Sequence, residues 1–190
     1  MSTKNGMFLH KGQPKDIKEA LWWEETCIRR QGGYDLDTSN LPATLRWLPK
    51  GTVLGFNSEN GKAIVVKTAK VCEDAAKDAT ILKVEANELL AVGDIIGGAT
   101  IKAISVEDGV ATLTVDEVPE ALTKGVVIGD ERSKGVLLGL QYETNDLRDN
   151  DFPQVTPTLR VFEIEEDTMP FPINDDIKKG LGALHQFKIQ

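Results

Sequence analysis

The side chains that could do chemistry fall into a few small groups. The densest is the run Asp146, Asp149 and Asp151, in the polar stretch that opens at Asn145. Neighbouring carboxylates shift one another's pKa, so such a cluster can supply an acid/base pair or hold a metal. Adjacent acids on a polar loop equally describe a solvated surface, and a second run, Glu163, Glu165, Glu166 and Asp167, reads the same way. Asp35, Asp37 and Ser39 have the spacing of the start of a calcium loop. The pattern then fails, because Asn40 stands at its glycine position and Arg46 at its bidentate-glutamate position. His10 and His185 lie near opposite ends, which leaves a nucleophilic triad little to work with. Gly93, Gly97 and Gly98 are followed by no Lys-Ser or Lys-Thr pair, so they make no phosphate loop. Cys27 and Cys72 form neither a disulfide framework nor a zinc pattern and read as reduced, partly buried thiols. The expectation is a protein with no catalytic residue, no metal and no cofactor. A hydrolase built on the Asp146–Asp151 loop is the enzyme alternative.

The whole-chain balance narrows the partners. The formal net charge is −8 over 190 residues. That charge repels a phosphate backbone and an anionic membrane surface, so neither nucleic acid nor membrane is expected as a partner. The longest apolar runs fall far short of a membrane span, and the polar N-terminus lacks the apolar core of a secretory signal.

The elements that must position these groups are mostly strands. The segment Lys50–Ala69 reads as a hairpin, Thr52–Phe56 and Ala63–Thr68, reversing at Asn60-Gly61. Before it, residues 1–15 read as a flexible arm, and Asp16 reads as the N-cap of a helix to about Gln31. At helical spacing Ile17, Ala20, Leu21, Trp23, Cys27 and Ile28 form one apolar stripe. Trp22 falls outside the stripe, either exposed at the edge of the core or facing another chain. Residues 34–49 read as a connector of turns capped by their own Asp and Ser side chains, with Leu45, Trp47 and Leu48 leading into the hairpin.

After Thr68 come short strands separated by turns: Ala79–Val84, Asp94–Ile96, Thr100–Ser105, Val110–Val115 and Gly125–Ile128. Their spacing predicts a small, bent sheet or barrel over 71–133, inserted into a host domain made of 16–70 and 134–190. Lys134–Tyr142 has the character of Thr52–Phe56 and should pair with the hairpin once the insert loops out. Thr158–Glu163 is a further strand, and Asn174 caps a short helix with Asp175 and Asp176 in its first turn. The predicted class is mainly β, with an N-terminal amphipathic helix and a short C-terminal helix as the minor α part.

Three stretches carry a family resemblance. GTVLG at Gly51–Gly55, followed by a turn, a strand and the later GVLLG at Gly135–Gly139, resembles the head-decoration proteins of tailed bacteriophages, the lambda-type capsid-stabilising family. The stretches Thr80–Ile96 and Thr100–Val115 resemble the small β-module of phage head-fibre and decoration proteins. The ending LRVFEIEEDTMPFPINDDIKKGL is similar to the C-terminal part of head-fibre proteins. The resemblance implies a structural protein on the outside of the capsid, a homotrimer whose partners are itself and the major capsid protein. It would stay in the host cytoplasm before assembly and in the virion afterwards. The candidate contact residues are Trp22, Trp23, Trp47, Val53 and Leu54, each with core packing as its other reading. A glycan- or surface-adhesion β-module is the alternative function; against it, 71–133 contains no Trp, Tyr or Phe to stack on a sugar.

Overall fold

The structure, a computed structural model, describes residues 17–31, 33–57, 59–130, 136–147 and 153–188. In chain order its strands are β1 (Trp23–Arg29), β2 (Tyr34–Leu36), β3 (Trp47–Leu48), β4 (Val53–Asn57), β5 (Lys62–Val65) and β6 (Thr68–Lys70). Next come β7 (Ile81–Glu85), β8 (Ile95–Ile96), β9 (Ala99–Glu107), β10 (Val110–Val115) and β11 (Val127–Gly129). The chain closes with β12 (Leu137–Leu140), β13 (Asn145–Asp146), β14 (Gln154–Val155), β15 (Thr158–Ile164), helix α1 (Asp175–Leu181) and β16 (His185–Phe187). The fold is mainly β.

The hairpin forms as its alternation and its Asn60-Gly61 turn require. β4 pairs antiparallel with β5, Gly61 has φ +68°, and β12 joins the far side of β4 with Leu138 opposite Gly55. The five-stranded sheet is completed by β2, parallel to β5, and β14. Both faces of β4 are covered, so Val53, Leu54 and Phe56 are all buried. Leu54 and Phe56 pack with Tyr34, Leu48 and Val155, while Val53 faces Leu140, Val161 and Ile164.

Residues 69–128 build a separate buried cluster around Leu82, Ile96, Ile101 and Leu113. Here β7, β10, β9 and β8 form one antiparallel sheet, and β6 pairs with β11. Single bridges, Val71 to Val84 and Ile96 to Asp130, join the two pieces. The pairing therefore runs β6–β7–β10–β9–β8–β11 and returns to β6. The side chains of β7 follow the same curvature. Leu82 and Val84 point inward while Ile81, Lys83 and Glu85 do not, the period-2 pattern of a strand with one dry face.

At the C-terminal end, Asn174 caps α1, its Oδ1 accepting the Ile177 N–H at 2.9 Å, and Ile177 and Leu181 face the core. The N-terminal segment departs from expectation. Residues 17–22 lie outside any helix or strand, and 23–29 form β1 rather than the second half of a helix. The arm 1–15 and the cap at Asp16 lie outside the described residues. Two physical reasons favour the strand. Trp23, Thr26, Cys27 and Ile28 are weak helix formers, and β15 offers an antiparallel partner whose ladder satisfies their backbone groups. Ala20 anchors the approach: it is fully buried, its N–H donates to Lys50 O at 3.1 Å, and its Cβ occupies the space a side chain at Gly51 would need.

Candidate interaction surface

The candidate site is built on the three-stranded sheet β1–β15–β16. Along β15, Val161 and Ile164 are buried, whereas Arg160 and Phe162 point away from the core and stay half-buried. Glu163, at φ +56°, is the extra residue that restores inward pointing at Ile164. Trp23 lies opposite Phe162 and Ile28 opposite Arg160, so β1 spends several residues where β15 spends one. Thr26 fills that irregularity. Its hydroxyl donates to Trp23 O at 2.7 Å and accepts the Phe162 N–H at 3.0 Å, and its carbonyl accepts from Arg160 Nε at 3.2 Å. The bulge blunts β1 as a pairing edge and leaves the sheet's outer face as the surface on offer.

That face is apolar. Trp23 is 54% exposed, Ile28 43% and Leu184 55%. Leu184 precedes β16, which runs parallel to β15 with His185 level with Val161; its carbonyl accepts the Val161 N–H at 2.9 Å. Strand alternation thus sets Leu184 outward beside Arg160 while His185 turns in. The Arg160 guanidinium sits 5.5 Å from the Phe162 ring centroid, a cation–π contact within the face.

His185 is a core histidine. The Leu181 carbonyl, 3.0 Å from Nδ1, can only accept, so Nδ1 carries the proton; Nε2 then accepts from the Thr158 hydroxyl at 3.0 Å. Thr158 Oγ1 in turn accepts the Leu140 N–H. Burial lowers the His185 pKa from its usual 6.5, the two hydrogen bonds opposing it. The unfolded chain therefore binds the extra proton first as pH falls. Stability contributed by the neutral ring is complete above 6.5 and declines below it until the folded ring itself titrates. Thermal melts from about pH 8 to about pH 5 should show this decline, and it should shrink in His185→Gln. Equal slopes in both proteins would refute the assignment.

The remaining candidates scatter. Trp22, read as sitting at the edge of the core or facing another chain, is buried and packed with Val53 and Ile164, with Lys50 Nζ 4.1 Å above its ring. Trp23 and Ile28, expected on a buried helical stripe, are the exposed residues, because a strand alternates where a helix would gather them. Val53 and Leu54 are buried in β4 and unavailable for contact with another chain in this fold. Trp47 is half-buried on β3, with Arg46 stacked 4.6 Å from its ring. It borders a cleft of about 420 Å³ with Phe171, Pro49, Lys70 and Glu85, away from the β15 face.

Asp146 is ion-paired with Arg46, Oδ2 to Nη2 3.1 Å, while Asp149 and Asp151 lie outside the described residues. Glu165 and Glu166 pair with Lys188 and Lys178 at the surface. Asp37 Oδ1 accepts the Ser39 N–H at 2.9 Å, the self-capped turn expected of that segment. Cys27 and Cys72 are free thiols; partial burial, reinforced by Glu24, pushes the Cys27 pKa up to about 11, which suits packing rather than nucleophilic attack. No group of three or more His, Cys, Asp and Glu side chains converges among the described residues. Sequence reasoning missed Phe162 and Leu184 as surface residues; strand alternation about the inward Val161 was the available signal for the first. No family model matches the chain, and no curated protein or solved structure matches it.

Proposed function

We propose that this chain is a structural component of a tailed-phage or prophage head, bound outside the assembled shell as a decoration or head-fibre protein. The observation that carries the reading is the apolar outer face of β1–β15–β16, with Trp23 more than half exposed at its edge. A Trp so placed, opposite Phe162, has the make-up of an interface anchor. The sequence resemblance supplies the partner, the major capsid protein, and a homotrimeric state. In that reading residues 71–133 form a small barrel module carried by the body and projecting from it. Linked subunits would make several weak contacts at once, and the second contact of each set is effectively intramolecular.

The test is co-sedimentation with shells assembled from a major capsid protein of the genome that carries this chain, alongside light scattering of the free protein. The protein should pellet with the shells. Trp23→Ala should weaken binding at least about tenfold, since an interface Trp is worth ~2 kcal/mol or more. Protein that stays in the supernatant with shells in excess would overturn the reading.

A further inference from the structure

Three distant segments meet at one dry point: the connector after β2, the junction of β5 and β6, and the turn before β8. Lys67, at the junction, has a side chain with no exposed surface, and Asp94 is 3% exposed. Lys67 Nζ lies 2.5 Å from Asp94 Oδ2 and also donates to the main-chain carbonyl of Asn40. Asn40 is itself 8% exposed. Neither Nδ2 nor Oδ1 of its side chain has a hydrogen-bond partner among the described residues. Leaving a buried polar group unsatisfied forfeits its hydration with nothing in return, so native structures rarely do it without cause. The main chain pins the corner, with the Asp130 N–H donating to Lys67 O at 2.8 Å.

We propose that Lys67 and Asn40 become joined by a self-formed isopeptide bond, with Asp94 as the proton carrier. A buried amine in contact with a carboxylate and with the main chain of a residue whose own buried carboxamide is unengaged supplies the groups such a condensation needs. The Cγ of Asn40 is separated from the carbonyl that Nζ contacts only by its own Cα and Cβ, so side-chain torsions set its distance from the amine. In the first step Nζ passes a proton to Asp94 Oδ2, the carboxylate oxygen 2.5 Å away. The uncharged Nζ then adds its lone pair to Cγ. The new Nζ–Cγ amide bond forms, the Cγ–Nδ2 bond breaks, and the amine's second proton reaches the departing nitrogen through Asp94. Nitrogen leaves as ammonium, Asp94 returns to carboxylate, and no oxidant or co-reactant is consumed. The product replaces an orphaned carboxamide with a covalent tie between the body's connector and the stem of the 71–133 segment. On a shell component, such a tie would hold the two parts together under mechanical load.

The test is the intact mass of the denatured full-length protein, measured beside its Lys67→Arg variant so that any end-processing cancels. After allowing for the substitution, the unaltered chain should be lighter by one ammonia. Trypsin should leave the bond after Lys67 uncut and yield a branched peptide joining the segments of Asn40 and Lys67. Two chains that differ only by the substitution would overturn the proposal. A loss of one water instead, mapped to Lys67 and Asp94, would overturn the assignment of Asn40 as the acceptor.

Discussion

Relative to the parent chain before any Lys67–Asn40 bond has formed, Lys67→Met is expected to destabilise the fold by about 3–5 kcal/mol, the usual cost of removing one partner of a buried ion pair. The side chain it replaces is wholly buried, and the carboxylate it leaves behind is nearly so. Asp94 would keep the Ala91 N–H, 2.7 Å from the same Oδ2, but a main-chain donor does not replace a cation in holding a charge out of water. The carbonyl of Asn40 loses its ammonium as well. In denaturant melts the midpoint should fall with little change in slope, because the fold and the area it exposes on unfolding are the same. The melting temperature should drop by about 6–20 °C, given ~2–4 °C per kcal/mol for a chain of this size. The double variant Lys67→Met/Asp94→Leu should recover part of the loss and not all of it. Two apolar side chains remove the buried charge, but they strand the Ala91 N–H and the Asn40 carbonyl. A Lys67→Met protein within about 1 kcal/mol of the parent would show that the pair does not hold this junction.

The location of that pair explains what the sequence could and could not reveal. Lys67 sits in the apolar run Ala63–Thr68 and looks like a lysine on the wet face of a hairpin strand. Its burial depends on Asn40 and Asp94 arriving from either side, and no local pattern announces them. Features decided by near neighbours were legible: the β4–β5 hairpin from its turn, α1 from Asn174, and β7 through β11 from short runs bounded by turns. So was the return of the chain to β4 at β12, because the two strands share an unbroken apolar character. The parallel pairing of β2 with β5 was not, since a parallel neighbour leaves no turn between the strands to read.

The outer face of the β1–β15–β16 sheet was hidden for a related reason. It is assembled from Trp23 and Ile28, from Arg160 and Phe162, and from Leu184, three segments that meet only in the folded sheet. The first segment alone supports the wrong expectation. Ile17, Ala20, Leu21, Trp23, Cys27 and Ile28 do fit a helical stripe, and only the backbone pairing with β15 selects the strand. Helical and strand periods sort the same residues differently, so the wrong period exchanged the inner and outer members: Leu21, Trp23 and Ile28 are exposed, while Trp22 is buried.

That exchange gives the second large effect. Trp22→Ala should cost about 3–5 kcal/mol, in line with truncation of a buried aromatic, whereas Trp23→Ala should stay within about 0.5 kcal/mol. Trp22 is 9% exposed and packs in the cluster that joins Val53, Leu140 and Ile164, so its loss opens a cavity between the five-stranded sheet and β15. It would also strip Lys50 Nζ of the ring beneath it, leaving Glu24 as its ion-pair partner. Trp23 touches solvent over half its surface and lies opposite Phe162, so its removal relieves exposed apolar area as much as it loses packing. Parallel urea titrations of the two variants would decide the matter. Similar losses at both positions would mean that Trp23 is a packing residue, and the outer face would then lose its anchor for the shell. A large loss at Trp22 alone would leave Trp23→Ala as a folded protein, the form needed to measure shell binding without confounding stability.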